Sequence, residues 1–333
     1  MTKSILVCGG AGYIGSHMCR QLARAGYVPV VFDNLSTGHR EAVRWGPLVE
    51  GDLLEPAHLA DLFARHRFDA VLHFAARALV AESVADPAGY LRTNLVGTLN
   101  LLDAMRTAGV DRLVFSSTCA VYGDPAYLPI DEAHPTAPVN PYGWSKLLAE
   151  RAIAEYCRGY GLRAIALRYF NVAGAAEGGE IGEDHDPETH LVPNVIRAAL
   201  DPSLGPVRLF GTDFPTPDGT CVRDYVHVED LCDAHLAAFE RLAGDAGGYD
   251  AINLGSGDGY SVLQVLDACR RLMDGRPEAR VEPRRPGDPP HLVAANERAR
   301  RELDWQPRRP LDEMIRSAIA WHASRTPGVG ATC

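Results

Sequence analysis

The amino-acid sequence predicts an α/β fold, with a doubly wound parallel sheet in its first half and a smaller, loop-rich α/β lobe in its second half. Two observations lead to this prediction. Short apolar runs in the first half are nearly continuous rather than alternating, which is typical of strands buried on both faces of a parallel sheet. Helical patterns separate these runs, and such alternation implies right-handed crossovers within one doubly wound sheet.

The elements of the first half follow in order from this alternation. The apolar runs predict strands over residues 5–8, 28–32, 70–74, 112–116 and 163–168. The amphipathic patterns between them predict helices over residues 14–25, 58–67, 90–106 and 142–160.

After Arg168 the character of the sequence changes, because glycine and proline become more frequent and the predicted loops become longer. Helical patterns continue over residues 192–200, 228–242, 261–272 and 311–324. We therefore expect residues 1–170 to form the first domain, and residues 171–333 to form mainly the second lobe, with some segments returning to the first domain. Residues 328–333 are expected to be a frayed tail.

Composition and charge exclude several classes of protein. The formal net charge is −10, which argues against nucleic acid and anionic membranes as partners, because these select basic surfaces. No apolar run approaches the roughly 20 residues needed to span a bilayer, and no signal peptide is evident. The eight cysteines show no paired spacing, so we expect reduced thiols and a cytoplasmic location.

A glycine-rich turn follows the first predicted strand and opens the first helix. Gly9, Gly12 and Gly15 are spaced for a tight turn, for close approach of backbone N–H groups to a pyrophosphate, and for close helix–strand packing. The helix N-terminus then presents about half a positive charge to the phosphates. This context predicts a dinucleotide-binding Rossmann fold, although a glycine turn without a ligand is the alternative.

Asp33 ends the second predicted strand and favours NAD over NADP as the cofactor. A carboxylate at this place accepts the hydroxyls of the adenosine ribose and repels a 2′-phosphate. The alternative is an aspartate that only shapes a turn, since Asn34 follows it, and Arg40 leaves NADP open. Asp52, at the end of the next short strand, is expected either near the adenine or in a loop.

Tyr142 and Lys146 are the expected catalytic pair, because a four-residue spacing at the start of a helix places both side chains on one face. For a tyrosine to act as a base near neutral pH, its pKa must fall by about three units, which requires about 4 kcal/mol. An ammonium about 6 Å away supplies about 3 kcal/mol at an effective dielectric constant of about 20. The lysine is therefore insufficient alone, and the oxidised nicotinamide ring is the expected second cation. The alternative is an exposed tyrosine with an unrelated lysine.

Thr118 follows a neighbouring strand and is the third candidate catalytic residue. A hydroxyl at the carboxyl end of that strand can donate to the reacting oxygen. The alternative is a hydroxyl that only caps the loop.

With these residues assembled, the chain resembles the UDP-glucose (UDP-galactose) 4-epimerase family of the extended short-chain dehydrogenase/reductase superfamily over nearly its full length. The segments that carry the resemblance are 7–16 (VCGGAGYIGS), 33–38 (DNLSTG), 73–76 (HFAA), 94–99 (NLVGTL), 168–174 (RYFNVAG), 219–227 (GTCVRDYVH) and 284–288 (RRPGD).

The resemblance implies an isomerase that binds NAD and a UDP-sugar, usually as a homodimer formed through two helices of the first domain. Tyr142 would be the base, Lys146 would hold the nicotinamide ribose, and Thr118 would assist at the sugar 4-hydroxyl. The residues that would line NAD are Gly9, Gly12, Tyr13, Ile14, Gly15, Asp33, Asn34, Asp52, Leu53, Phe74, Ala75, Ala76, Asn94, Tyr142, Lys146 and Tyr169. The residues that would hold the UDP-sugar are Thr118, Asn171, His190, Leu191, Phe210, Arg223, Tyr225, Arg285 and Asp288.

The two arginines also point to a diphosphate on chemical grounds. Arg223 and Arg285 lie far apart in the glycine- and proline-rich half of an acidic protein. Two guanidinium groups converging on a diphosphate would explain both. Surface ion pairs are the alternative.

Four positions depart from the family's pattern. Thr118 stands where the family usually has serine, and Ala78 stands where a lysine often contacts the cofactor phosphate. His190 precedes Leu191 where many members have asparagine. Leu292 aligns with the residue that limits the size of the sugar, and it is neither a large tyrosine nor a small cysteine, so acceptance of N-acetylated sugars stays open.

The loop at residues 180–190 is rich in carboxylates and imidazoles. We expect a solvated loop at the substrate cleft and no metal, because the spacing fits no helical ligand pair and no sulfur joins it.

The expected reaction is NAD-dependent inversion at C4 of a UDP-hexose, from UDP-galactose to UDP-glucose, through a 4-keto intermediate. A 4-epimerase of a UDP-N-acetylhexosamine, a UDP-pentose or a UDP-uronate stays open, as does a net dehydrogenase. A 4,6-dehydratase is disfavoured, because Cys119 and Ala120 stand where it would need an acid pair. A non-catalytic NAD-binding module is the alternative from another class, although such proteins tend to lose the tyrosine–lysine pair.

Overall fold

The structure is a computed structural model that describes residues 2–244, 247–275, 277–285 and 288–326. The expected tail at 328–333 lies outside the described residues, as do Pro286 and Gly287 of segment 284–288. Within the described ranges, no helix has both the length and the apolar character needed to cross a membrane.

The described residues form fourteen strands and eleven α-helices. The strands are β1 Ser4–Cys8, β2 Val28–Asp33, β3 Leu48–Glu50, β4 Ala70–His73, β5 Arg112–Thr118, β6 Arg163–Tyr169, β7 Asn171–Ala173, β8 Val207–Phe210, β9 Val222–Arg223, β10 Tyr225–His227, β11 Tyr249–Leu254, β12 Tyr260–Ser261, β13 Ala279–Glu282 and β14 His291–Leu292. The helices are α1 Tyr13–Arg24, α2 Pro56–Arg65, α3 Val80–Ala85, α4 Pro87–Leu91, α5 Gly97–Ala108, α6 Pro141–Tyr160, α7 Leu191–Leu200, α8 Val228–Leu242, α9 Val262–Leu272, α10 Glu297–Leu303 and α11 Leu311–Arg325.

A seven-stranded parallel sheet is the centre of the molecule, with the order β11-β6-β5-β4-β1-β2-β3. From β1 the chain proceeds outward through β2 and β3, and from β4 it proceeds the other way through β5, β6 and β11. The direction of winding therefore reverses between β1 and β4, and ligands of such sheets bind at this point. The predicted doubly wound Rossmann sheet is confirmed.

Side chains alternate between two cores along the buried strands. Ile5 and Val7 of β1 pack in one core with α1, α8 and α10. Leu6 and Cys8 of the same strand pack in the opposite core with α2, α5 and α6. Both faces of the sheet are thus covered, which explains why these strands are nearly continuously apolar in sequence.

The second lobe is built from helices α7, α9 and α11 around a separate apolar core. Three small sheets accompany them: β10-β7, β12-β9-β14 and β13-β8. Strand β11, although late in sequence, pairs with β6 in the main sheet.

One predicted helix differs in its interior. The expected helix over residues 90–106 begins earlier, in α4, and contains a π-helical segment at Arg92–Val96 before α5. Such π segments are rare and often lie near functional sites. Here the segment carries Asn94.

Candidate active site

A cavity of about 1320 Å³ lies at the carboxyl edge of the main sheet, where the winding reverses. The glycine turn, the start of α6 and several segments of the second lobe line this one space.

Two glycines at the junction of β1 and α1 stand where no side chain fits. Gly9 has φ +81°, and a Cβ atom there would lie 2.5 Å from the backbone nitrogen of Ala75. A Cβ atom on Gly15 would lie 2.1 Å from the carbonyl oxygen of Gly9. Helix α1 begins after Gly12 with no side-chain cap, so its first N–H groups have no side-chain acceptor. This arrangement suits the pyrophosphate of a dinucleotide.

Asp33 lies beside this turn at the end of β2 and is buried. Its Oδ2 atom accepts the N–H of Ala11 at 2.9 Å, and its Oδ1 atom accepts the N–H of Leu35 at 2.9 Å. Burial raises the pKa of Asp33, whereas these two hydrogen bonds lower it. The Asn34 side chain donates to Asp52 at 3.0 Å, so the three polar residues expected around the adenosine lie together.

The start of α6 is fixed by its own sequence. The Asn140 side chain caps the helix by accepting the N–H of Gly143 at 2.8 Å, and Pro141 occupies the first turn. Tyr142 and Lys146 follow on the cavity wall. Burial raises the pKa of Tyr142 to about 12, although the Thr118 hydroxyl acts to lower it.

Lys146 is buried, and burial lowers its pKa to about 7, whereas the Glu150 carboxylate acts to raise it. Its ammonium donates to the carbonyl of Ser116 at 2.8 Å and lies 4.8 Å from the centre of the Phe115 ring. The lysine is therefore anchored to β5, the strand that ends at Thr118.

A buried ion pair supports this anchor from behind. Glu150, one turn after Lys146, accepts from Arg168 Nε at 2.9 Å and from Arg168 Nη2 at 2.5 Å. It also accepts the hydroxyl of Ser117 at 2.5 Å. Helix α6 is thereby tied to β5 and β6 next to Tyr142 and Lys146.

The second lobe contributes cations to the other end of the cavity. Arg223 Nη1 donates to the carbonyls of Val222 and Pro289 at 2.9 Å and 2.8 Å, and Nη2 lies 3.4 Å from Asp288 Oδ1. Arg285 is exposed and stacks on the Phe210 ring, with 3.9 Å between its guanidinium carbon and the ring centre. Both arginines line the cavity.

Leu292 lies on the wall beside Arg223, because β14 pairs with β9 in a register that places the two residues opposite each other. Its side chain packs on the same small apolar cluster as Cys119 and Phe170. The residue aligned with the sugar-size position is therefore a cavity residue.

All but one of the predicted cofactor, substrate and catalytic residues line the cavity. The structure differs from the prediction at Asn94, which is buried behind the wall. Its amide exchanges two hydrogen bonds of 2.9 Å with the backbone of Arg77 and donates to Ser145 Oγ at 2.9 Å. Asn94 lies in the π segment, and these bonds tie that segment to Arg77 and to Ser145 of α6.

Several cavity residues were not assigned from the sequence. They are Cys119, Glu183, His185, Glu188, Arg197 and Arg208. The composition of the loop at 180–190 was the available signal, but the loop differs from the solvated one expected, because the side chains of Glu183 and Glu188 are 5% and 2% exposed.

Comparison with known proteins gives a consistent result. Residues 5–255 match the model of the NAD dependent epimerase/dehydratase family. The chain is 50% identical over 326 residues to the UDP-glucose 4-epimerase of Rhizobium meliloti (strain 1021), covering 98% of this chain and 99% of that protein.

Two solved structures are similar along nearly their whole length. The crystal structure of UDP-glucose 4-epimerase from Brucella ovis in complex with NAD has 49% identity and a TM-score of 0.92, covering 96% of this chain and 98% of the other. The crystal structure of UDP-glucose 4-epimerase from Bifidobacterium longum in complex with NAD+ and UDP has 36% identity and a TM-score of 0.92, covering 98% and 100%.

Proposed function

The chain belongs to the NAD dependent epimerase/dehydratase family, and on that premise we propose that it inverts C4 of a UDP-hexose, interconverting UDP-galactose and UDP-glucose. The observation that carries this proposal is the single cavity shared by the glycine turn, the buried Tyr142–Lys146 pair and Arg223.

The residues present fit NAD. Gly9 and Gly15 stand where there is space only for backbone, and helix α1 offers N–H groups without a side-chain cap to phosphate. The Asp33 carboxylate retains lone pairs for two ribose hydroxyls beyond its two backbone bonds, and it disfavours the extra phosphate of NADP. When bound, NAD takes up the hydride from the sugar C4 carbon and returns it, and its oxidised ring carries a positive charge.

Tyr142 is the proposed base, and its environment sets how much help it needs. Lowering its pKa from about 12 to about 7 requires about 7 kcal/mol. A fully charged ammonium about 6 Å away, the most that Lys146 can offer, supplies about 3 kcal/mol. The pKa of about 12 already includes the effect of the Thr118 hydroxyl, so the remaining 4 kcal/mol or so has to come from a second positive charge in the cleft, which makes the base strong only in the loaded enzyme.

The other residues bind and orient the substrate. Arg223, held by Asp288 and Pro289, binds the diphosphate together with Arg285 on its Phe210 platform. Thr118 donates to the sugar 4-oxygen while Tyr142 removes its proton and later returns it. Because the diphosphate stays clamped, the 4-keto sugar can turn within the cavity and present its other face, which inverts C4.

The test is to incubate the purified protein with UDP-galactose and to identify the product. Formation of UDP-glucose without accumulation of NADH in excess NAD+ supports the proposal. Stoichiometric NADH would indicate a net dehydrogenase, and no product would indicate a binding module. Parallel incubations with UDP-N-acetylgalactosamine, UDP-xylose and UDP-glucuronate assign the preferred sugar.

We further propose that the protein is a homodimer that works in the cytoplasm. Trp144 and Leu148, one turn apart on α6, are 47% and 39% exposed. A second copy of the first domain would cover this apolar pair. Cysteines 8, 19, 119, 157, 221, 232 and 269 are free thiols, which suits a reducing compartment. Light scattering after chromatography of Leu148→Glu, expected as a monomer, tests the dimer; an unchanged dimer would refute this interface.

A further inference from the structure

Four potential metal ligands meet in the loop before α7, outside the catalytic constellation. They are Glu183, His185, Glu188 and His190, and one donor atom from each lies within 4.8 Å of all the others. The two carboxylates are almost fully buried, at 5% and 2% side-chain exposure, whereas the imidazoles are partly exposed.

The charges of this cluster have no arginine or lysine partner among the described residues. Glu183 and Glu188 form their ion contacts with the two histidines alone. Removing two carboxylates from water is costly unless their charges are fully compensated. A divalent cation at the centre of the four side chains would neutralise both carboxylates at once.

The Nδ1 atom of His185 is a separate indication that the cluster binds a further group. This atom is fully buried and has no hydrogen-bond partner among the described residues, although Glu183 Oε1 and Glu188 Oε2 lie 3.2 Å and 3.8 Å away. A buried nitrogen facing two carboxylates without a formed hydrogen bond is unusual. A cation between the two carboxylates and this nitrogen would bind the lone pair of His185 Nδ1.

Three of the four nitrogen–oxygen distances in the cluster are close to those between the ligands of one metal. Zinc bonds of about 2.0–2.2 Å in a tetrahedron place neighbouring ligand atoms about 3.3 Å apart. The distances here are 3.2, 3.5 and 3.8 Å, and the fourth, 2.5 Å between His190 Nδ1 and Glu183 Oε1, is that of a direct ion pair which a metal would replace. Two imidazoles with two carboxylates suit zinc and related divalent transition metals better than magnesium or calcium, which prefer oxygen alone.

We propose that Glu183, His185, Glu188 and His190 form a binding site for one divalent transition-metal ion of the zinc class. The spacing along the chain gave no sign of it, because the ligands come together through the irregular path of the loop instead of through helical periodicity. This proposal replaces the expectation, drawn from the sequence, that the loop binds no metal.

The ion would act by holding the loop in place, because the loop borders both halves of the cleft. The His185 ring packs edge-on against Tyr13 of the dinucleotide turn, with 6.3 Å between ring centres. His190 immediately precedes α7 and lines the cavity. Coordination through Nδ1 would leave Nε2 of His190 protonated and able to donate toward a ligand in the cavity.

The test measures binding of Zn²⁺ and Co²⁺ to the full chain after removal of metal by a chelator. The proposal predicts one Zn²⁺ per chain after desalting, and roughly tenfold or greater weakening in His185→Asn and Glu183→Gln. Asp184→Asn is the matched control, since it removes a carboxylate from the same loop, and its affinity should not change. Because Trp321 donates to the carbonyl of Glu183 at 2.9 Å, Zn²⁺ should also change the tryptophan fluorescence.

Three outcomes would overturn the proposal: less than a tenth of a Zn²⁺ per chain in the wild type, equal affinity in the wild type and both variants, or a sulfur-to-cobalt charge-transfer band that assigns the ion to cysteines. If Glu183→Gln fails to fold by circular dichroism, His185→Asn, whose side chain is partly exposed, decides the result.

Discussion

Glu150→Gln tests how the catalytic helix is held, because this carboxylate lies at the junction of α6, β5 and β6. It is 1% exposed and accepts two hydrogen bonds from Arg168, which is 6% exposed, and one from Ser117. The amide keeps the shape but not the charge. Removing one member of a buried pair leaves the other uncompensated, which costs about 3–5 kcal/mol.

The same substitution acts on Lys146 through charge. Burial has already lowered the pKa of Lys146 to about 7, and the Glu150 carboxylate is the group that opposes this fall. Without it the pKa drops further, so a larger fraction of the lysine is neutral at pH 7. As the pH rises, activity that needs the ammonium should then be lost at a lower pH than in the wild type. The alkaline limb of the kcat profile should therefore move toward acid.

Urea unfolding and the pH dependence of kcat with UDP-galactose measure the two effects. Glu155→Gln is the matched control, because this exposed glutamate on the same helix has Arg158 as its one ion partner among the described residues, and such pairs contribute about 0.2–1 kcal/mol. A loss of stability below 1 kcal/mol in Glu150→Gln together with an unchanged pH profile would refute the reasoning.

Three further predictions concern the cofactor, the diphosphate and the sugar. Asp33→Asn should retain at least tenfold less NAD after purification, because an amide places a donor where two ribose hydroxyls need acceptors. The retained NAD is measured as nucleotide released by acid, and full occupancy would contradict the assignment. Arg223→Leu should raise KM for UDP-galactose about 10- to 100-fold with a smaller change in kcat, since it loses charge-assisted hydrogen bonds of about 1.5–3 kcal/mol each. Arg280→Leu, on exposed β13, is the control, and equal KM values in the two variants would be evidence against the clamp. Leu292→Tyr should lower kcat/KM for UDP-N-acetylgalactosamine at least tenfold relative to UDP-galactose, because the larger ring fills the wall beside Arg223; an unchanged ratio would remove Leu292 from the specificity site.

The sequence predicted well wherever the evidence was local. Gly9 and Gly15 stand where a Cβ atom would collide with backbone, and Gly12 is the N-cap of α1, so the spacing of the three glycines was sufficient. The apolar strands were found because burial on both faces leaves no alternation. The helix that carries Tyr142 and Lys146 was found because its helical pattern is continuous over residues 142–160.

The sequence predicted less where the outcome depends on distant contacts. Asn94 was expected at the cofactor, but a π segment directs it to Ser145 and Arg77 instead. The pairing of β11 with β6 joins segments about eighty residues apart, which no periodicity reports. Glu183 and His190 meet through the closure of a loop, and neither spacing nor composition distinguishes that from a solvated segment.

The role of Tyr142 is the central claim, and Tyr142→Phe assayed with UDP-galactose tests it most directly. The variant keeps the ring and loses the hydroxyl that takes the proton, so its rate should fall about 10²–10⁴-fold, the usual effect of an acid–base group. NAD content should stay at the wild-type level, and Tyr160→Phe, an exposed tyrosine at the end of the same helix, should keep full activity. Retention of more than about a tenth of the wild-type rate, well above that range, would show that another group is the base.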